Sequence, residues 1–231
     1  MAQGGAPSGG SALLRSDAAS FEIAQHGHSV GSASFKFTPT LNGIDCTSLV
    51  KVAMQGLDYA LSKNEELTPA GELKHAQLSA TVNGEAVTVA AKPDSAQFLI
   101  DISANGKSTT TRLEAHKAAV FLPDFDPGAL ETLLALAAAQ NDHDVWAIVP
   151  KQLGTIDAVQ LATYADQKGS LDGKQITVHH LVATIAGAET DLFSGPENQL
   201  LQAELPQEGF ALVRKGFVLN PPAKPIAPRA D

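Results

Sequence analysis

Residues 75–91 read HAQLSATVNGEAVTVAA, two alternating segments joined by Asn83-Gly84. Asn-Gly suits a two-residue hairpin turn, because both central residues must take a positive φ. A turn at that point pairs Ala80 with Val87, Leu78 with Val89 and Ala76 with Ala91, so the apolar positions of both strands fall on one face. The opposite face carries His75, Gln77, Ser79, Thr81 and Thr88 and is expected to meet water. The same construction repeats at residues 98–113, FLIDISANGKSTTTRL. A turn at Asn105-Gly106 sets Ile102 against Thr109, Ile100 against Thr111 and Phe98 against Leu113. A slip of one residue scatters both sets, so two adjoining hairpins are specified by residue pattern.

Working outward, Asn42-Gly43 and Asp172-Gly173 are expected to be further hairpin turns, and strands are expected at 20–26, 29–38, 48–61, 144–149, 155–166, 175–186, 189–194, 198–205 and 209–218. One segment breaks the alternation. Asp126 is a good N-cap, Pro127 suits the first helical position, and Glu131 lies in the early turns where acids are favoured. From Ala129 to Ala139 the chain reads ALETLLALAAA, apolar on nearly every side, which predicts a buried helix over about 127–140. The fold expected is mainly β (α+β): a curled antiparallel meander or open barrel of ten or more strands wrapping one central apolar helix. Residues 1–18 read as a flexible Gly/Ser-rich tail, 19–219 as a single domain, and 220–231 as a Pro-rich extended tail.

Of the 231 residues, 44% are hydrophobic and 18% charged, the balance of a globular chain. The net charge is −9 and no segment carries a basic stripe, which argues against nucleic acid as the partner. No run reaches the ~18 apolar residues of a membrane span. Residues 1–18 lack the basic and apolar regions of a signal peptide, while Ala2-Gln3 and the Gly/Ser/Pro stretch after it resemble what signal cleavage leaves behind. A mature periplasmic or secreted chain is therefore expected, with a cytoplasmic one as the alternative. The single cysteine, Cys46, permits no intrachain disulfide and has no nucleophile's companions nearby in sequence.

Few residues suggest chemistry. His26 and His28 flank Gly27; two apart on a strand they would share a face and be metal-ligand candidates, whereas at a hairpin tip their rings diverge. His179 and His180 are adjacent on a predicted strand and face opposite ways. With a turn at Asp172-Gly173, His179 sits opposite Asp166, and a carboxylate beside an imidazole is the arrangement of a general-base pair. His143-Asp144, after the helix, is a further polar pair. Asp124-Phe125-Asp126 pairs two carboxylates, but Asp126 is assigned to the helix cap. No hydrolase elbow, phosphate loop or zincin motif is present, and no cofactor is expected. Phe98, Ile100, Leu133, Leu136, Trp146, Ile148, Tyr164 and Leu181 are the residues expected to line an apolar concavity or, alternatively, a packed core.

A strand, a Gly-x-x-x-Gly hairpin (Gly27 to Gly31), a long meander, one helix and a late meander ending in residues 173–217 together resemble the LolA/LolB type of bacterial extracytoplasmic lipoprotein carrier and related secreted β families. In the late meander the resemblance rests on Asp191, Leu200-Leu201 and Arg214. It covers most of 19–219 and is one of layout. It implies an unclosed barrel around a helix, with a hydrophobic concavity that holds acyl chains, and no catalytic residue. The chain has no lipobox cysteine near its start. Three functions are thus in view: a non-enzymatic binding or carrier protein for an apolar or lipid-like ligand, a structural or assembly protein using its tails or sheet edges in a homo-oligomer, and a hydrolase built on Asp166 and His179.

Overall fold

A computed structural model describes residues 13–140, 144–151 and 153–220. Fifteen strands form one antiparallel sheet, and its first eight run as consecutive hairpins: β1 Ala18–Gln25, β2 His28–Thr40, β3 Gly43–Met54, β4 Leu57–Leu67, β5 Leu73–Val82, β6 Glu85–Asp94, β7 Gln97–Ala104 and β8 Lys107–Glu114. After three strands and a helix outside this sheet, the chain returns as β12 Gln160–Thr163, β13 Gln167–Leu171, β14 Lys174–Ile185, β15 Ala188–Ser194, β16 Leu200–Leu205, β17 Phe210–Arg214 and β18 Phe217–Leu219. β17 pairs antiparallel with β1, which joins the two halves. The path runs from β18 through β13 to β17, then β1 to β8; it ends at β8 and β18, and the sheet does not close.

The two defining hairpins have the expected register: Ala80 faces Val87, Leu78 Val89 and Ala76 Ala91, and in the next pair Ile102 faces Thr109, Ile100 Thr111 and Phe98 Leu113. Positive φ at Asn83 (50°), Gly84 (85°), Asn105 (52°) and Gly106 (71°) marks both turns as the type whose twist matches that of the strands. Asp172-Gly173 turns the same way, and Leu171 faces Lys174.

Elsewhere the pattern is redrawn. Thr40 faces Gly43, so the tip of that hairpin is Leu41-Asn42 and Gly43 opens the strand. A side chain on Gly43 would overlap the Leu67 carbonyl, which explains a glycine there without a turn. The single strand expected at 48–61 is two, bent at Gln55-Gly56, and 209–218 is bent at Lys215-Gly216. The strand expected at 155–166 splits as well, because its first half leaves the large sheet. Residues 13–17, assigned by sequence to the leading tail, are packed: Leu14 is buried and the Leu13 N–H donates to the Pro69 carbonyl at 3.0 Å. Residues 1–12 and 221–231 lie outside the described residues.

The helix α1, Pro127–Ala139, connects β9 (Ala119–Phe121) to β10 (Trp146–Val149), which pair in parallel, and β11 (Thr155–Ala158) adds an antiparallel edge. This β–α–β crossover was not expected, since AVF at 119–121 is too short to show alternation. Every residue from Pro127 to Ala137 is buried. The helix lies against β2, β3, β9 and β16, so it meets both halves of the large sheet. Its start presses closest: a Cβ on Gly128 would stand 2.8 Å from Ser48 Oγ and 3.0 Å from both Cys46 Sγ and Phe35 Cβ.

Candidate functional site

β4 carries Tyr59, Leu61, Lys63, Glu65 and Leu67 inward by strand alternation, so two charged residues share the face that meets the helix. Lys63 Nζ lies 2.8 Å from Glu65 Oε2 and 2.7 Å from Asp126 Oδ2, with all three side chains wholly buried. Burial alone would strip the lysine of its proton, but Asp126 and Glu65 together outweigh it and hold its pKa above the ordinary value. For Glu65 burial prevails, and its pKa is raised. Its Oε1 has no hydrogen-bond partner. The other oxygen of Asp126, Oδ1, accepts from the N–H groups of Gly128 (2.9 Å) and Ala129 (3.2 Å). One residue thus caps the helix and fastens it to the inside of the sheet. Cys46, beside this group, is buried with its thiol pushed up to about 12, chiefly by burial, so it is an unreactive packing residue.

Next to this anchor a cavity of about 410 Å³ opens. Four parts of the chain wall it: the β9–α1 loop and first helical turn with Phe125 and Leu130, the β10–β11 connection with Val149, Lys151 and Thr155, the β14–β15 hairpin around Ile185, and the β16–β17 hairpin with Leu205, Glu208 and Leu212. Phe125 takes φ 57°, a conformation costly for a bulky residue. Its ring is held edge-on between Phe210 at 4.8 Å and Tyr59 at 6.2 Å between centroids. At the mouth Lys151 Nζ pairs with Asp124 Oδ1 at 2.6 Å. The size falls within the roughly 300–1,000 Å³ of small-molecule sites, and a mostly apolar wall with a few polar groups is their usual chemistry. A larger concavity, about 650 Å³, lies on the face of β1–β6 that carries Ser34, Ser62 and Thr81, with Leu49, Lys51 and Lys215 also lining it.

The residues expected to line a concavity sit elsewhere. Phe98, Ile100, Leu133, Leu136 and Ile148 are buried in the main core, and Trp146 and Leu181 pack against it. Trp146 also stacks on His116 at 3.6 Å, and Tyr164 lies against His180 at 4.9 Å. None of the eight lines either of these two cavities.

His179 Nδ1 and Asp166 Oδ1 are 3.0 Å apart, as the hairpin register requires, with the side chains 48% and 37% exposed. Among the described residues neither hydrogen-bonds to a hydroxyl or thiol, and neither lines a described cavity. The second histidine makes the tighter pair. His180 Nε2 meets Asp191 Oδ1 at 2.7 Å, its ring stacks on Phe193 at 4.5 Å, and its Nδ1 is buried without a partner. β14 changes sides here: Val178 and His180 bury against Phe193 and Phe217, whereas Ala183 buries in the main core.

His26 and Gly27 form a hairpin tip with φ 48° and 79°, and Gln25 faces His28. Both histidines are exposed, and the His26 ring lies over Gly209. Among the described residues no group of three His, Cys, Asp or Glu is placed to hold a metal. His143 lies outside the described residues.

Besides Lys63 and Glu65, the half-buried Asp17 and Arg214 and the buried Glu131 make pairings that went unread in the sequence. Arg214 grips Asp17 through both terminal nitrogens at 3.2 and 3.3 Å, and Glu131 Oε2 accepts from the Leu200 N–H at 2.9 Å. Burial pushes the Glu131 carboxyl up to about 8, and Asp17 adds to the rise. The inward Lys63 and Glu65 left a readable signal, charge at core-facing positions of an alternating strand. Asp17 and Arg214 left none, being 197 residues apart.

No helix among the described residues is long and apolar enough to cross a membrane. No family model, curated protein or solved structure matches the chain.

Proposed function

We propose that this chain is a non-enzymatic binding or carrier protein for a small apolar or lipid-like ligand, acting in the periplasm or as a secreted protein, with the ligand seated at the start of α1. The observation that carries the reading is the 410 Å³ cavity beside the anchored helix start, walled by Phe125, Leu130, Ile185, Leu205 and Leu212. The large sheet is read as an open barrel curled around α1, in the manner of the LolA/LolB layout. Two facts support that: the helix is buried along its length, and it touches strands from both halves of an unclosed sheet. The ligand seat differs from the one the eight sequence-predicted lining residues suggested, since Phe98, Ile100, Leu133, Leu136 and Ile148 are buried in the main core. The space proposed as the seat lies at the helix start.

Native mass spectrometry on delipidated protein, before and after incubation with an organic extract of cells, is the test. A discrete added mass is expected, and Thr190→Trp, which fills the cavity from β15, should abolish it. Val218→Trp, on the exposed face of β18, should leave it in place. No adduct from any extract, or an adduct that survives Thr190→Trp, counts against the reading.

A further inference from the structure

Resting on that reading, we infer that the cavity at the start of α1 selects an apolar ligand with a positively charged head, an alkyl- or aryl-ammonium group, over one with a carboxylate or phosphate head. The ground is which charges near the cavity are already spent. A helix N-terminus is ordinarily a ready anion site, since its first N–H groups lack partners. Here none is free. Pro127 has no N–H, Gly128 and Ala129 donate to Asp126 Oδ1, and the Leu130 N–H donates to the Asp126 carbonyl at 3.2 Å. Lys63, the nearest buried cation, is bound on both sides by carboxylates.

Among the described residues one cation lines the cavity, Lys151, and it is held by Asp124 at 2.6 Å. An anionic head could take Lys151 only by leaving Asp124 unpaired beside it, two like charges at one mouth. Of the other charged lining residues, Asp126 is taken up by Lys63 and the helix N–H groups, and Glu208 is exposed in the β16–β17 turn. Among the described residues it makes no ion pair. After the pairings are taken out, the cavity wall therefore presents one uncompensated carboxylate, on a chain whose net charge is −9. An ammonium head at Glu208 would leave its tail along Leu205 and Leu212, which come from the same hairpin, and reach Leu130 and Ile185 across the cavity.

The experiment uses three probes with one tail: decylamine (protonated at pH 7), decanol (neutral) and decanoate (ionised). Each is titrated against the full chain by calorimetry in low salt. Decylamine is expected to bind about 1.5- to 5-fold more tightly than decanoate, the range for a solvent-exposed ion pair, and 0.5 M salt should shrink that ratio. Glu208→Gln, on an exposed turn, should bring decylamine to the affinity of decanol. Decanoate binding as tightly as decylamine, or a preference untouched by Glu208→Gln, overturns the inference while decanol binding still upholds the cavity. Failure of all three probes to bind overturns the cavity reading together with the inference.

Discussion

Replacing Lys63 with methionine tests the physical core of this fold. The substitution keeps the length of the side chain and removes one charge, leaving Asp126 and Glu65 as two buried carboxyls that had each been within 2.8 Å of the ammonium. Breaking a buried ion pair from one side costs about 3–5 kcal/mol, because the abandoned charge cannot reach water. Glu65 escapes by taking a proton, a direction in which burial already pushes it. Asp126 is fixed in place, since its other oxygen accepts from two helix N–H groups. A loss of ~4 kcal/mol is therefore expected, from a total stability of roughly 5–15 kcal/mol for a protein domain. With a urea m-value of about 2–3 kcal/mol/M, the midpoint falls by roughly 1.3–2 M. The double variant Lys63→Met/Asp126→Asn keeps a good N-cap and removes the stranded charge, so it should lose less than the sum of the two single variants. Urea unfolding followed by far-UV circular dichroism measures all three. A Lys63→Met loss under ~1 kcal/mol, or strict additivity in the double variant, would refute the claim that this lysine neutralises the helix cap.

Two more outcomes bear on the same helix. Gly128→Ala should destabilise the protein even though alanine is the better helix former by ~1 kcal/mol. The new methyl meets Ser48 Oγ, Cys46 Sγ and Phe35 Cβ at 2.8–3.0 Å, and overpacking of that kind costs about 1–3 kcal/mol; a raised thermal midpoint would contradict the packing. Glu131→Gln should flatten the pH dependence of stability. With its folded pKa at about 8 against an ordinary 4.5, Glu131 keeps its proton longer in the folded state, so its contribution is full below pH 4.5, declines as pH rises toward 8, and is constant above. The wild type should lose of order 1 kcal/mol per pH unit across that window relative to Glu131→Gln, whose amide oxygen still accepts from Leu200. Parallel urea titrations from pH 5 to 8 whose difference stays constant would show that Glu131 does not titrate in this way.

What the sequence made legible followed from local rules, and what it hid followed from distance. Asn83-Gly84 and Asn105-Gly106 were readable because turn chemistry and the period-two pattern agree across a few residues. Asn42-Gly43 carries the same dipeptide, yet its glycine answers to the Leu67 carbonyl on a neighbouring strand, and the turn lies one residue earlier. The helix was legible from Asp126, Pro127 and the apolar run after them. Its place in a parallel crossover was not, because β9 is three residues long and its partner follows 25 residues later. The candidate cavity was missed for a related reason. Its walls come from four separate loops and hairpins, and no spacing in the chain relates Phe125 to Leu205. The apolar residues that did form a readable set, such as Ile100, Leu133 and Ile148, are the ones that pack solid.

This separation says how the cavity can vary without the fold. Its inner wall is the helix start, tied by Asp126 to Lys63 and by Gly128 to β2 and β3; changes there fall on stability. Its rim is made by hairpin turns that owe their shape to local backbone, such as Ala186 and Gly187 with φ 51° and 82°. That φ of 82° holds position 187 to glycine, whereas Glu208 is exposed and free of the left-handed region. Substitutions on the rim can therefore alter charge and width at little cost in folding, since surface changes away from special contacts usually stay within about 0.5 kcal/mol. A site with a costly floor and an inexpensive rim lets binding preference be retuned on an unchanged sheet. Glu208, on the rim and without an ion pair, is where such retuning would first show.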